Sequence, residues 1–196
     1  MKKGILLLLF ILCSVGLARA QEEIKMNTSE SLIKWTGSNL FKFNKHHGTV
    51  NFKSGVILKD KDSLSGGRFE IDMNSIINTD GKYNEMLVWH LKNEDFFNVE
   101  KYPNAKLEIT GIKYSDSINL DIEANLTIKN ITEPIAYKAI LKHDKGKLVM
   151  TTKFIIDRTR WKVNYESKSL LSSLKDDTIS DAIEFEVTVV AKNEKL

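Results

Sequence analysis

A chain of 196 residues, 42% apolar and 28% charged, suits one globular domain with a sizeable core and leaves little room for two. The formal charge of +3 resides in the first twenty residues: without Lys2, Lys3 and Arg19 the 29 basic side chains fall level with the 26 acidic ones. That balance excludes a strongly basic footprint for nucleic acid or an anionic membrane.

Taken in order, Lys2-Lys3, the apolar run Ile5 to Leu12 and the triplet Ala18-Arg19-Ala20 read as a secretory signal peptide over residues 1–20, cleaved after Ala20. The uncharged stretch Gly4 to Ala18 is short for a membrane span, and Leu12 is too bulky for the small residue expected before a lipidated cysteine at Cys13. Export to the periplasm or secretion is therefore expected, with residues 21–196 as one domain. The single cysteine, Cys13, leaves with the leader, so no disulfide is expected.

Gln21 to Glu30 is polar and reads as a frayed lead-in. A strand follows at Leu32 to Gly37. After the loop Ser38 to His47 comes a long strand with Val50, Phe52, Val56 and Leu58 on one face and Asn51, Lys53 and Ile57 on the other. Ser54-Gly55 in its middle suggests a bulge. The turn Asp60 to Gly67 delivers a strand with Phe69, Ile71 and Met73 on one side. The one helical stretch, about 81–92, places Tyr83, Met86, Leu87, His90 and Leu91 at i, i+3, i+4, i+7 and i+8, with Asp80 positioned to cap it. An aromatic turn through Phe96 and Phe97 reaches Tyr102-Pro103, where helix and central strand are both ruled out. Strands then follow at Ala105 to Lys113, at Ile118 to Lys129, from Pro134 through Leu141, and from Leu148 to Ile156. An irregular stretch through Trp161, Tyr165 and a turn at Leu170-Leu171-Leu174 leads to a last strand at Ile183 to Val189. About eight strands, each with one apolar face, bury that face by rolling into an antiparallel barrel whose interior is either filled by side chains or holds one slim ligand.

Several segments together resemble the YceI-like family of lipocalin-like, polyisoprenoid-binding periplasmic proteins. They are His90-Leu91, Asp95-Phe96-Phe97, Val99 to Pro103 and Ala105; His47 to Val50 with Lys53 to Gly55; Gly66 to Phe69 with Ile71 to Met73; Leu126 to Lys129 with Thr132 and Pro134; Asp157 to Thr159 with Trp161; and Leu174 to Asp181. The resemblance implies an all-β, eight-stranded lipocalin-like barrel with the short helix near its mouth. It also implies non-enzymatic binding, transport or storage of a polyisoprenoid or quinone-like lipid, with no cofactor, and a homodimer as a further expectation.

Alternation, independently, predicts a bore lined by Phe69, Ile71, Met73, Leu107, Ile109, Ile122, Leu126, Ile128, Tyr137, Phe154, Ile156, Phe185 and Val187. His90 and Trp89 are candidates for a headgroup contact or for the mouth, and Trp89, off the helix stripe, for transient contact with a membrane. No phosphate-cradling loop, nucleophile elbow, zinc-protease helix or cysteine pair occurs. His46-His47 is weak as a metal pair because neighbours on an extended chain face opposite ways. His90 reads first as a hydrogen-bonded interior histidine, Asp157 and Arg158 as a local pair or loop anchor, and Asp176, Asp177 and Asp181 as solvated groups about a turn. Two other readings remain open: an enzyme using His90 or His46 as base, and a filled barrel serving as a ligand-free stress-response or interaction module.

Overall fold

The computed structural model describes residues 21–40, 44–81, 83–167 and 178–192. The leader, the turn Leu170-Leu171-Leu174, and Asp176 and Asp177 lie outside the described residues. The strands are β1 (Glu22–Lys25), β2 (Leu32–Ser38), β3 (Lys45–Asp60), β4 (Ser63–Asn78), β5 (Asn104–Tyr114), β6 (Asn119–Ile128), β7 (Ile131–Asp144), β8 (Lys147–Asp157) and β9 (Ala182–Lys192). A helix α1 (Asn84–Lys92) precedes β5, and a 3-10 turn (Arg158–Trp161) follows β8. All pairings are antiparallel in the order β1-β3-β2-β9-β8-β7-β6-β5-β4, and a further β3–β4 pairing closes the ring.

The ring has eight staves because β1 and β2 share one edge of β3: β2 pairs with Lys45 to Val50 and β1 with Val56 to Lys59. Asn27 to Ser31 interrupt this stave, and the break is stitched by Ser31 Oγ, which donates to Asn27 O at 2.7 Å and accepts from Val190 N at 2.9 Å. The lead-in is thus ordered rather than frayed. Ile24 and Met26 are buried, a two-residue alternation that the surrounding glutamates and lysines conceal in the sequence.

The bulge expected at Ser54-Gly55 is present as a register shift between Phe52 and Ser54 against β4. One extra residue moves every later side chain to the opposite face. Ile57 is consequently inside, at 1% exposure, while Val56 and Leu58 are only half-buried, the reverse of the expected assignment. Lys129 and Asn130, both at positive φ, form the two-residue turn between β6 and β7, as a type I′ hairpin requires. Pro134 lies within β7 rather than at its start, and is tolerated because β7 pairs with β8 only from Ala139 onward.

The hairpin turns after β3, β5 and β7 lie at one end of the barrel, and that foot is solid: Ile57, Leu64, Leu120, Ile122 and Leu148 are all buried there. The opposite end carries α1, the Phe96-Phe97 turn and the 3-10 turn. There the interior is hollow.

Candidate functional site: an apolar cavity under the helix

The hollow half encloses a cavity of about 460 Å³, within the usual range for a small-molecule pocket. Its wall draws on every stave. Ile33 and Trp35 come from β2, Val50 and Phe52 from β3, Phe69, Ile71, Met73 and Ile76 from β4, Ala105 and Leu107 from β5, and Leu126 and Ile128 from β6. Tyr137 of β7, Met150, Thr152 and Phe154 of β8, and Ile183, Phe185, Val187 and Val189 of β9 complete it. Thr152 and Tyr137 apart, its polar lining residues lie toward the helix end, with Ser38, Asn39, Asn44, Glu166 and Ser180 marking where it meets solvent.

One transverse band is aromatic. Tyr137 stacks on Phe154 at 4.9 Å and 20°, and Phe154 meets Phe185 at 5.6 Å. Phe185 is the register partner of Trp35, and Trp35 that of Gly48. Gly48 is required: a Cβ there would lie 1.8 Å from the Ile77 carbonyl oxygen and 2.7 Å from Trp35 Cζ2. Burial pushes the Tyr137 phenol well above its ordinary pKa, so it stays neutral.

The roof combines α1 with two turns. Leu87, His90 and Leu91 face the cavity, as do Phe96, Phe97 and Tyr165. The expected helix stripe is split, because α1 is only nine residues long and presents one edge to the mouth. Tyr83 and Met86 are exposed. Asp80 does not cap the helix; Tyr83 holds that position in a left-handed conformation without a side-chain cap. Asp80 Oδ2 lies instead 2.7 Å from His46 Nδ1, and Asn78 donates to both Asp80 Oδ1 and Asn84 Oδ1 at 2.8 Å, tying the end of β4 to α1. His46 borders the cavity while His47 is exposed, so the two do not converge.

Asp157 and Arg158 do not pair with each other. Asp157 Oδ1 accepts from Thr159 N and Oγ1 and so caps the 3-10 turn. Arg158, at 1% side-chain exposure, donates to Val163 O (2.7 Å), Ser180 O (3.1 Å) and Ile179 O (3.4 Å), lies 3.5 Å from Asp181, and stacks 5.2 Å over Phe96. Burial lowers its pKa, with Asp181 opposing; guanidinium remains charged at any ordinary pH.

Of the residues expected in the bore, Phe69, Ile71, Met73, Leu107, Leu126, Ile128, Tyr137, Phe154, Phe185 and Val187 border the cavity, and so does His90. Ile109, Ile122 and Ile156 are buried without bordering it. Alternation gives the face of a strand but not the height along a tilted stave. Ile109 and Ile122 lie toward the foot, and Ile156 lies at the top of β8, where the chain enters the 3-10 turn. Trp89 is 60% exposed on the outer side of α1. Ile33, Trp35, Val50 and Phe52 of β2 and β3 belong to the wall as well, beyond the residues expected there, although they alternate as clearly as the rest. Thr152, Arg158 and Glu166 carry no apolar signal at all.

The model for the YceI-like domain matches residues 25–191. The chain belongs to the YceI-like family. A UPF0312 protein of Pseudomonas putida strain W619 is 27% identical over 131 residues, 65% of this chain and 66% of that relative, so the match spans just under two thirds of the relative's length. A UPF0312 protein of Azotobacter vinelandii is 38% identical over 50 residues, 26% of each chain. Among solved structures, BcnA of Burkholderia cenocepacia superposes with a TM-score of 0.70 at 16% identity, covering 85% of this chain and 99% of its own. A polyisoprenoid-binding domain from Saccharophagus degradans, implicated in plant cell wall breakdown, gives 0.63 at 13% identity, covering 88% and 99%. The Campylobacter jejuni YceI protein gives 0.58 at 22%, covering 74% and 85%. At these identities the structural likeness speaks for the fold: a closed eight-stave antiparallel barrel with one helix.

Proposed function

We propose that this protein binds an apolar lipid tail, polyisoprenoid or quinone-like, in the hollow half of the barrel, for transport or storage and without chemical turnover. The observation that carries this reading is a cavity walled by apolar and aromatic side chains from all eight staves, blind at the foot and meeting solvent beside α1. The Saccharophagus neighbour, a polyisoprenoid-binding domain, supports the choice of tail. Moving one CH₂ from water into such a wall is worth about 0.8 kcal/mol, enough over a few isoprene units to exceed the cost of association. Export through residues 1–20 would place the cavity in the periplasm. Tyr83, Met86 and Trp89, exposed on the outer side of α1, are the surface a transient membrane contact would use.

The depth of the cavity sets the test. From Ile183 to Val189 the wall covers roughly 20 Å of strand, or about 15 Å along the axis at a 40° tilt. Carbon–carbon bonds of about 1.5 Å make an extended isoprene unit about 5 Å long, so about three units reach the floor. Lipid extracted from natively purified protein is expected to carry an isoprenoid tail. In titrations with prenyl chains of increasing length, affinity should climb steeply to about three units and then flatten. Absence of any extractable lipid together with no binding of prenyl chains would overturn the reading.

A further inference from the structure

β7 and β8 are neighbouring staves that part company half-way up. Their register pairs run from Asp144–Lys147 to Ala139–Thr152 and stop there, whereas β7 pairs with β6, and β8 with β9, to their upper ends. No pair joins residues 131–138 of β7 to residues 153–157 of β8 among the described residues. A closed barrel abolishes strand edges; here two edges face each other over about 16 Å of strand, five steps of about 3.3 Å. β5 also leaves β4 above Asp72, but there α1 lies over the gap, with Lys92 Nζ donating to Asn74 O at 2.6 Å.

Side chains close what the ladder leaves open. At the lower end Thr152 Oγ1 donates to Lys138 O at 2.6 Å. At the upper end Arg160 Nη2 reaches from the 3-10 turn to Glu133 Oε2 at 2.8 Å and Pro134 O at 2.9 Å, a clasp that lies at the surface. Between them stands the Tyr137–Phe154 ring stack, and both rings border the cavity. The inward-facing Ile135 and Phe154 on either side are only half-buried, and Ile155, facing outward beside them, is 63% exposed. Apolar surface therefore runs from the outer face across the seam to the cavity wall. Opening a window of this height between fully paired staves would break a run of main-chain hydrogen bonds. Here it needs two rings to swing apart and two side-chain contacts to let go.

We propose that this seam is a second portal: an apolar tail enters and leaves the cavity sideways between Tyr137 and Phe154, and the Arg160 clasp sets how readily the seam opens. The proposal rests on the lipid-binding reading above and adds the route to that site. A gate changes the barrier and not the two end states, so it alters association and dissociation by the same factor and leaves Kd where it was.

The test staples the seam. Extending the register places Ala136 opposite Ile155, both on the outer face, and the mature protein, residues 21–196, lacks the single native cysteine, Cys13. Ala136→Cys with Ile155→Cys is bridged by a short bis-methanethiosulfonate, which spans a gap too wide for a direct disulfide and is released by reductant. Ile140→Cys with Thr151→Cys, register partners lower on the same two strands, is the control, and thermal melts check that each variant is folded. Association and dissociation of a fluorescent three-isoprene probe are followed by stopped flow. With the seam stapled both rates are expected to fall about ten-fold, with Kd within about two-fold, and reductant should restore them; the control staple should change neither. Arg160→Gln, which needs no cross-link, removes the clasp and should raise both rates about two- to five-fold, the range of an exposed ion pair. Unchanged rates in the stapled protein, equal slowing by the control staple, or wild-type rates in Arg160→Gln overturn the proposal while the lipid-binding reading stands. A probe that binds no form of the protein overturns both.

Discussion

Gly48→Ala is the substitution for which the barrel's geometry makes the sharpest demand. In an extended strand alanine should win, because glycine gives up more chain entropy on folding by about 0.5–1 kcal/mol. At position 48 the new Cβ would lie 1.8 Å from the Ile77 carbonyl oxygen, a main-chain atom of β4 across the closing seam, and 2.7 Å from Trp35 Cζ2. Reaching even 3.0 Å requires that carbonyl to retreat by about 1.2 Å, which breaks the Gly48–Asn78 pairing and pushes the indole into the cavity. Overpacking costs about 1–3 kcal/mol and a disrupted buried hydrogen bond about 1–3 more; set against the entropy gain, the middle of these ranges gives a net loss of about 3 kcal/mol. In urea, at a slope of about 2 kcal/mol/M, the unfolding midpoint should fall by about 1–2 M with the slope unchanged. Gly37→Ala is the control: it also sits on the cavity wall, but nothing lies within 4 Å of its added Cβ, so its midpoint should hold or rise slightly. A Gly48→Ala midpoint equal to or above that of Gly37→Ala would refute the packing argument and, with it, the placement of Trp35.

Two further outcomes follow from the cavity wall. Arg158→Met keeps most of the volume but abandons the Val163, Ser180 and Ile179 carbonyls and the Asp181 carboxylate, so it should cost about 3–5 kcal/mol in urea unfolding; a loss below about 1 kcal/mol would show that water replaces the guanidinium freely. Tyr137 is held above its ordinary pKa of 10.0 by burial, so the folded chain keeps a proton that the unfolded chain releases. Stability should therefore fall as pH rises above about 10, at about 1.4 kcal/mol per pH unit from this group. Wild type minus Tyr137→Phe should isolate that slope, and a flat difference between pH 9 and 11 would contradict the burial of the phenol.

Strand faces and the hollow interior were legible to different degrees for different physical reasons. Phe69-Ile71-Met73 or Leu120 to Ile128 fix a face, because period-two alternation has no other economical reading, and eight such faces leave a barrel as the way to hide them. Height along the barrel was not legible: Ile122 and Leu126 carry the same signal, yet one plugs the foot and the other borders the cavity. Ile57 reads as outward-facing from sequence because a bulge shifts parity without changing composition. The Tyr83 to Leu91 stripe overstated the buried face of α1, since spacing cannot say how much of a short helix reaches the wall.

Part of the unanticipated wall is polar, and the reason lies in where a barrel ends. Inside the ladder every N–H and C=O has a neighbour; at the mouth the chain turns away and its carbonyls lose theirs. Around the mouth of this cavity several of those carbonyls are met by side chains from within the protein. Trp161 Nε1 does so for Leu126 O at 2.9 Å, Lys129 Nζ for Phe96 O at 3.0 Å and Lys162 O at 3.4 Å, and Arg158 for three more. Burial lowers the pKa of the Lys129 ammonium, and the Arg158 guanidinium sits 5.2 Å over the Phe96 ring, so both basic side chains direct their charges to backbone carbonyls. Residues that look like surface groups in the sequence thus satisfy the carbonyls around the hollow half of the barrel.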